Sequence, residues 1–555
     1  MSDTKPIDGE ELVGVTEDSV LKRMLADYKS QEKPKRGLRD GDIRVDRKLF
    51  EVVDSIDSAL TTAGNSYQRA GLLVRIGTIP AGQANGVCRD EPSPGVISFD
   101  TPGLVDWCSK IATFTQWDGR KKDLKEVDPP SAAVRAMLSR RGMWSLPALA
   151  GFISAPSIRP DGSILDTPGF DCATGLFAHF RKGEFPPIPA HPSKDDAARA
   201  LELLCEVFRE FPYTIPAGRS VAVSAVLTAL VRQSLPSAPM HIFTAPRPRS
   251  GKDKQLRCAA LISTGALPVT VSQSEDEAEF QKRLLGILMD GAPVISINNV
   301  ERPLHSESLC SIITEGTWAS RILGSTNLTR VGTAVTLCAS GNNLTLAGDL
   351  NERAIVSEID PKCERPEERA FEQDDLEGEV RRRRHELAVA GITVIRAYLA
   401  AGTPDVGLKP WGGFEDWSVW VRSPLVWLGM TDPRESRVYL ESRDPIRTGL
   451  SSLLSAWHEA VGSSGKTVAE MLELVTRREY SHASREEVWR YPALREAATE
   501  LCSTPGGEFS ARRLGIFIKA HQDRIEGGLR FQTSGSTREN VLRWYVVDVR
   551  KGVNS

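Results

Sequence analysis

Gly251 and Lys252 lie near the end of residues 241–254, a segment whose pattern predicts a strand, a loop and then a helix. In that order, the pair falls where the helix begins. Backbone N–H groups at a helix N-terminus bind phosphate oxygens, and a lysine there reaches the β and γ oxygens of a nucleotide. Ser250, Gly251, Lys252 and Asp253 are therefore candidate nucleotide-binding residues.

The loop departs at two positions from the full phosphate-loop pattern, G-x-x-x-x-G-K-[ST]. Pro246 stands at the first glycine position, and Asp253 stands where the pattern has the hydroxyl that ligates Mg²⁺. The carboxylate of Asp253 is itself an oxygen ligand of the kind that Mg²⁺ accepts, so Asp253 is the candidate metal ligand. The loop thus predicts ATP and Mg²⁺ as cofactors.

Three further elements downstream carry polar residues suited to the same chemistry. A predicted strand ends at Asn298, where a phosphate-loop enzyme carries the acid that holds Mg²⁺, and the nearest carboxylate is Glu301. A second strand ends at Asn342 and Asn343, whose amides could orient an attacking water or could belong to an ordinary strand–turn. A charged turn then ends at Arg353, which could reach the nucleotide of a neighbouring subunit.

Composition limits the class of protein. The 555 residues correspond to roughly three or four domains, and 40% hydrophobic with 26% charged residues is typical of globular proteins. The 70 basic and 73 acidic residues give a net charge of −3, which excludes a wholly basic nucleic-acid binder but allows a local basic groove. No run of 18 apolar residues and no apolar leader occur, so we predict a cytoplasmic protein with no membrane contact.

The nine cysteines and eight histidines are scattered along the chain. No CxxC pair or HExxH motif occurs, and tetrahedral metal sites need clustered ligands. The cysteine pattern predicts buried thiols in a reducing cytosol rather than disulfides or a zinc cluster.

Strand-like and helix-like segments alternate between Met240 and Ile359, which predicts an α/β layer with a largely parallel sheet. The predicted strands are Met240–Thr244, Val269–Ser272, Pro293–Val300, Ala334–Ala339 and Ala354–Glu358, and the predicted helices are Lys252–Ser263, Glu275–Leu288 and Ser306–Thr314. Helices follow from Leu376, and the chain ends in helices and two strands that suggest a winged helix.

These patterns divide the chain into five regions. They are a flexible arm at 1–47, an N-terminal mixed α/β region at 48–190, an α/β core at 191–370, a helical region at 371–480 and a winged-helix-like module at 481–555.

Taken together, the motifs and their order resemble the primase-helicase-like proteins of bacterial prophages and plasmids, which carry an AAA+, superfamily-three-like helicase motor. The stretches that carry the resemblance are 156–176, 291–300, 321–325, 339–344, 348–353, 364–371, 512–515 and 527–530. The resemblance implies an AAA+-like phosphate-loop NTPase core that acts on DNA in replication and a homo-oligomeric ring, and it leaves open whether a separate primase is a partner.

The sequence departs from that family at four positions of the nucleotide site. Arg249 replaces a glycine, Asp253 a hydroxyl, Asn298 an aspartate and Glu352 one of two paired arginines. Each change removes a charge or a geometry that phosphoryl transfer uses. Two interpretations remain open: a divergent but working ATPase, and a catalytically impaired motor that serves as a DNA-binding or assembly subunit.

The resemblance also implies two DNA contacts, to single-stranded or duplex DNA. A predicted hairpin before the Asn342 strand carries Arg321 and Arg330, which either pair with DNA phosphates or are scaffold cations. Arg512 and Arg513 lie on the helix of the terminal module that would either contact DNA phosphates or mediate a protein contact. The tryptophans between 411 and 427 lie in apolar context, so we predict that they pack in the core.

Overall fold

The computed structural model of the chain describes residues 42–321, 328–366, 375–481, 486–502, 509–536 and 542–552. Most of the predicted arm lies outside these residues. The chain divides into two compact units. Unit 1 draws on Met1–Ala63 and Asp100–Ser139, and unit 2 draws on Gly64–Phe99 and Arg140–Ser555.

The described residues form a mixed α/β protein with several sheets. Its strands are β1 Ile43–Arg44, β2 Tyr67–Arg69, β3 Leu72–Ile79, β4 Gly82–Ala84, β5 Val87–Arg89, β6 Ser93–Ser98, β7 Phe114–Asp118, β8 Asp123–Val127, β9 Gly151–Ile153, β10 Ser157–Ile158, β11 Ile164–Leu165, β12 Gly169–Asp171, β13 Leu176–Ala178, β14 Met240–Ala245, β15 Val269–Ser272, β16 Val294–Asn298, β17 Thr317–Arg321, β18 Leu328–Gly332, β19 Thr336–Asn342, β20 Ala354–Glu358, β21 Arg478–Ser481, β22 Glu486–Trp489, β23 Leu529–Ser536 and β24 Leu542–Asp548.

Its α-helices are α1 Leu49–Ala63, α2 Thr101–Ile111, α3 Ser131–Ser139, α4 Lys194–Val207, α5 Gly218–Val231, α6 Lys252–Thr264, α7 Glu277–Met289, α8 Glu307–Thr314, α9 Leu376–Ala400, α10 Glu415–Trp417, α11 Ser423–Trp427, α12 Arg437–Ser442, α13 Pro445–Val461, α14 Val468–Thr476, α15 Pro492–Cys502 and α16 Ala511–Ala520. A π-helical turn, Ser418–Arg422, joins α10 to α11. Short 3-10 turns lie at Arg232–Ser234, Gly348–Arg353, Pro433–Ser436 and Val549–Gly552.

The described residues of unit 1 form a small sheet with three helices. Strand β7 pairs in parallel with β1 and antiparallel with β8, in the order β1-β7-β8. Apolar residues at helical spacing are buried on its helices. They are Val53, Ile56, Leu60, Leu104, Val134 and Met137. Helix α1 was not predicted from the sequence.

A seven-stranded mixed sheet forms the centre of unit 2, in the order β20-β14-β19-β16-β15-β5-β4. The first five strands are parallel, which confirms the predicted sheet, whereas β5 and β4 add antiparallel at one edge. Strands β14 and β20 are buried along their whole length, as expected for parallel strands with both faces covered. The segments predicted between Met240 and Glu358 are all present, with ends shifted by a few residues.

The tryptophan-rich segment packs against this core, as predicted. Trp411 is 5% exposed and Trp417 is fully buried. The indole N–H of Trp417 donates a hydrogen bond to Thr228 Oγ1 at 2.8 Å, so the polar edge of the ring is satisfied inside the core.

The C-terminal part of unit 2 has its own hydrophobic cluster, which draws residues from Leu450 to Val546. Helices α15 and α16 are followed by the antiparallel pair β23 and β24. Lys466 forms an isolated antiparallel β-bridge with Trp544 of β24. The predicted order of helices and then two strands is therefore observed.

All nine cysteines are described, and each is a free thiol. Burial raises the pKa of the Cys108 thiol to about 12 and that of the Cys502 thiol to about 11. Within the described ranges, no helix is both long and apolar enough to cross a bilayer.

His241, on the central strand β14, gives a prediction about acid stability. Burial lowers the pKa of His241 from 6.5 to about 3, and its Nε2 lies 3.1 Å from Ser224 Oγ. Because the unfolded chain takes up this proton below pH 6.5 and the folded chain does not, the stability that neutral His241 supplies above pH 6.5 is lost as pH falls toward 3. Through this group, the free energy of unfolding changes by at most about 1.4 kcal/mol per pH unit.

Urea unfolding between pH 4 and 7 measures this slope. His241→Gln is expected to flatten the profile, whereas the same change at the exposed His305 is expected to leave it as it is. Equal slopes for the parent and His241→Gln chains would contradict the assignment.

Candidate functional site

The predicted phosphate-binding loop leaves the carboxyl end of β14 and enters α6 at Lys252. Gly251 has a φ of 92°, a left-handed conformation that glycine adopts without strain. Arg249 has a φ of 59°, which costs a non-glycine residue about 1–2 kcal/mol. Ser250 Oγ donates to the Arg247 carbonyl at 2.6 Å, so its hydroxyl braces the turn.

Lys252 is nearly buried, and its side chain is 9% exposed. Its Nζ lies 3.7 Å from a carboxylate oxygen of Asp253, whose side chain is 51% exposed. Both residues lie in the first turn of α6, where backbone N–H groups and the helix dipole favour negative charge. Asp253 therefore places a negative charge where the predicted ligand would place its phosphates.

Three adjacent strands of the sheet end beside this loop. Asn342, the last residue of β19, lies opposite Ala245, the last residue of β14. The Asn343 N–H donates to the Ala245 carbonyl at 2.9 Å, and its Nδ2 donates to the Pro246 carbonyl at 3.5 Å. The two asparagines thus border the start of the loop.

Asn298, the last residue of β16, lies at the same edge. Its Oδ1 accepts hydrogen bonds from the hydroxyls of Ser296 and Ser340, the latter at 3.3 Å. Glu301 is exposed, and it follows Val300, whose N–H donates to the Ser340 carbonyl at 3.3 Å. The structure therefore brings Asn298, Asn342 and the loop to one edge, with Glu301 on the turn that leaves it.

A cavity of about 390 Å³ opens next to the loop. Its apolar wall includes Val207, Phe211 and Leu376, and its polar wall includes Arg249, Lys254 and the carboxylates of Glu206, Glu210 and Asp253. Ligand sites of this kind combine an apolar lining with a few polar groups and have volumes in the range of about 300–1,000 Å³. The size and lining suit an aromatic base beside the loop. Phe211 was not identified from the sequence.

A buried polar group at the end of β20 was also missed. Glu358, 7% exposed, lies opposite Thr244 in the sheet, one residue before the strand end that leads into the loop. Its carboxylate accepts hydrogen bonds from the hydroxyls of Thr214 and Tyr439 and lies 3.2 Å from Arg443. These residues are far apart in the sequence and follow no spacing pattern, so no sequence signal indicated the group.

Arg353 lies elsewhere in the fold. It precedes Ala354, which pairs with Met240 at the start of β14, whereas the loop leaves β14 after Ala245. Five residues of parallel strand separate these positions by about 16 Å. Arg353, 3.4 Å from Asp349, is therefore at the edge opposite the loop of its own chain.

Glu352 has a structural role on this turn. Its carboxylate forms an ion pair with Arg437, whose side chain is only 9% exposed. Neighbouring Asn351 donates to Asp444 Oδ2 at 2.8 Å, so the turn is tied to helices α12 and α13. An arginine at position 352 would face Arg437 instead of pairing with it.

The predicted hairpin is present as β17 and β18. Trp318 and Val331 are buried, while Arg330 is exposed between buried neighbours. The side chain of Arg321 lies outside the described part of the chain. At the hairpin base, the buried Arg232 donates to the carbonyls of Thr333, Val335 and Leu235, which fixes the exit of the hairpin into the sheet.

The remaining basic residues differ in exposure. Arg512 and Arg513 are exposed on α16, whereas Leu514 and Ile518 are buried on its other face. The run of arginines that opens α9 instead faces carboxylates. The pairs are Arg381–Glu91 at 2.7 Å, Arg382–Glu379 at 2.6 Å, Arg383–Glu206 at 3.2 Å and Arg384–Glu184 at 3.8 Å. This run helps to dock α9.

The donor set at the loop limits how Mg²⁺ could be held. Mg²⁺ takes oxygen ligands in octahedral geometry, commonly one or two carboxylates with phosphates and water. In the described part of the chain no group of three or more His, Cys, Asp or Glu side chains could hold a metal. Asp253 provides one carboxylate, so the site fits a Mg²⁺ whose other ligands come from phosphate and water.

No protein-family model matches the chain, and no curated protein matches it. Among solved structures, it is similar to two apo structures of the NrS-1 C-terminal region in the A form. Both are 11% identical with a TM-score of 0.35 and cover 89% of this chain, and the alignments span 99% and 98% of the NrS-1 chains. Because the identity and the TM-score are this low, the likeness carries no argument about the site. The fold and the site follow from the strands and contacts of this chain alone.

Proposed function

We propose that the chain is a helicase-like, nucleotide-binding protein that acts on DNA in the replication of a mobile genetic element. The observation that carries the proposal is the convergence of the Gly251–Lys252 loop, Asn298 and Asn342 at the carboxyl edge of one parallel sheet. Ligands of open α/β sheets bind outside the carboxyl ends of the strands.

The neighbouring cavity supports a nucleotide rather than a free phosphate as the ligand. A triphosphate over the start of α6 would meet the backbone N–H groups and Lys252. The apolar wall at Phe211 would then accept the base. Asp253 would supply the one protein ligand to Mg²⁺, which neutralises charge on the phosphates.

A second candidate function is a DNA-binding or assembly subunit that binds ATP without appreciable turnover. Asn298 at the end of β16 favours this second function, because it offers an amide oxygen where a carboxylate would hold Mg²⁺. Arg249 favours this second function as well, because its backbone is left-handed where the family has a glycine and its side chain lines the cavity. We infer that hydrolysis is slow in the unaltered chain.

The position of Arg353 supports assembly as a homo-oligomer. At the sheet edge opposite its own loop, Arg353 can act on a nucleotide only if that nucleotide is bound by another copy. The exposed Arg330 on the β17–β18 hairpin supports a contact with the phosphates of single-stranded DNA. The exposed Arg512 and Arg513 on α16 support a second DNA contact.

ATP turnover measured with and without oligo(dT) tests the proposal. We expect turnover well below the range of about 1–100 s⁻¹ that is typical of kinases, and stimulation by DNA. In salt titrations by fluorescence anisotropy, Arg330→Gln is expected to lower the slope of log K against log[salt] by about 0.7, the loss of one phosphate contact on single strands.

The matched control is Arg302→Gln, because Arg302 is exposed and pairs with Glu275. A chain that binds neither ATP nor DNA would contradict the proposed function. Binding of ATP without any hydrolysis, with or without DNA, would select the second candidate.

A further inference from the structure

The β7–β8 hairpin of unit 1 combines an aromatic side chain with a cluster of cations. Trp117 pairs with Leu124 across the hairpin, and Arg120, Lys121 and Lys122 form the turn that follows. The net charge of the whole chain is −3, so this cluster is a local reversal of charge.

The cations of the turn form no direct ion pair with a carboxylate in the described part of the chain. The side chains of Arg120, Lys121 and Lys122 are exposed, and none of them forms an ion pair within the described ranges. The two carboxylates that flank the turn in sequence accept hydrogen bonds from backbone N–H groups. Asp118 Oδ1 accepts from the Arg120 N–H at 3.0 Å, and Asp123 Oδ1 accepts from the Leu124 N–H at 2.8 Å.

Trp117 is unusual among the tryptophans of this protein. All eleven lie in the described part of the chain, and Trp117, at 50%, is the only one with an exposed side chain. An exposed indole beside cations that form no ion pair matches what a single strand of nucleic acid recognises: a surface on which a base can stack and charges for its phosphates.

We propose that the tip of the β7–β8 hairpin binds single-stranded nucleic acid, with a base stacked on Trp117 and phosphates paired with Arg120, Lys121 and Lys122. A duplex keeps its bases stacked inside, so it would use the cations but not the indole. The contact lies in unit 1 and involves neither the nucleotide loop nor the β17–β18 hairpin, so it does not depend on the proposed function.

Fluorescence anisotropy of labelled oligo(dT) with the full chain tests the stacking contact. Trp117→Ala is expected to weaken binding by roughly 5- to 150-fold, the range for the loss of one stacked base, and Trp117→Phe is expected to retain most of the affinity. Thermal melting of each variant checks that unit 1 stays folded. Unchanged affinity in a folded Trp117→Ala chain would overturn the proposal.

A salt titration tests the phosphate contacts. Changing Arg120, Lys121 and Lys122 together to Gln is expected to lower the salt slope by about 2, at about 0.7 for each contact. The control changes Arg47, Lys110 and Arg135 to Gln, which removes the same charge from other exposed positions of unit 1.

Three outcomes of these titrations would overturn the proposal. One is that the slope of log K against log[salt] falls equally in the triple variant of the turn and in its triple control. A second is that Trp117→Ala weakens binding of duplex DNA as much as it weakens binding of oligo(dT). A third is that binding of anionic lipid vesicles requires Trp117 whereas binding of oligo(dT) does not. ATP binding is expected to be unchanged in every variant, which separates this test from that of the proposed function.

Discussion

Changing Arg249 to Gly, Asp253 to Thr and Asn298 to Asp in one chain is expected to raise ATP hydrolysis at least about 100-fold. Loss of a single preorganised contact commonly costs about 10²–10³ in rate, so restoring the set should recover at least one such factor. Asn298→Asp should be well tolerated, because the hydroxyls of Ser296 and Ser340 already donate to Oδ1 and would donate to a carboxylate. The gain should exceed the sum of the single changes, because the groups act together.

Each of the other two changes has its own physical basis. Glycine relieves the left-handed backbone at position 249, where φ is 59°. Threonine at position 253 supplies the metal-ligating hydroxyl and removes the carboxylate that lies 3.7 Å from Lys252 Nζ. Lys252 would then be free to pair with phosphate.

The control for this experiment adds a fourth change, Glu352→Arg. The structure predicts that it lowers stability, because it removes one of the two carboxylates that pair with the nearly buried Arg437 and adds a like charge beside it. Steady-state ATP turnover and thermal melting measure the two effects. A parent chain that already turns over ATP at rates typical of motor enzymes would contradict the interpretation of an impaired site, and so would a triple variant with unchanged turnover.

Lys252→Ala is expected to weaken ATP binding by roughly 10- to 150-fold. This range corresponds to about 1.5–3 kcal/mol for a hydrogen bond to a charged group. The effect should be at the upper end because Lys252 is nearly buried, where an ionic contact is screened less by water. Isothermal titration calorimetry with ATP measures the change.

Two controls make this result specific. Lys282→Ala removes an exposed lysine that pairs with Glu279 on α7 and is expected to leave ATP affinity as it is. Lys252→Met keeps much of the buried volume and separates loss of charge from loss of packing. Equal ATP affinity in the parent and both Lys252 variants would show that the loop does not hold the triphosphate.

Local sequence was sufficient to predict the alternating strands and helices between Met240 and Glu358. Buried parallel strands are continuous apolar runs, and helices between them begin and end at recognisable residues, so both patterns are readable within a short window. The same reasoning placed Gly251 and Lys252 at the start of a helix. The buried tryptophans near residue 417 followed from their apolar context.

Only the tertiary structure decided which of these residues meet. The strand order places β14 between β19 and β20, which brings Asn342 beside Ala245, whereas Arg353 is at the opposite edge. Strand order depends on contacts between segments distant in sequence, and local periodicity carries no record of them. For the same reason the sequence alone could not show that Glu352 pairs with Arg437 or that Trp117 remains exposed.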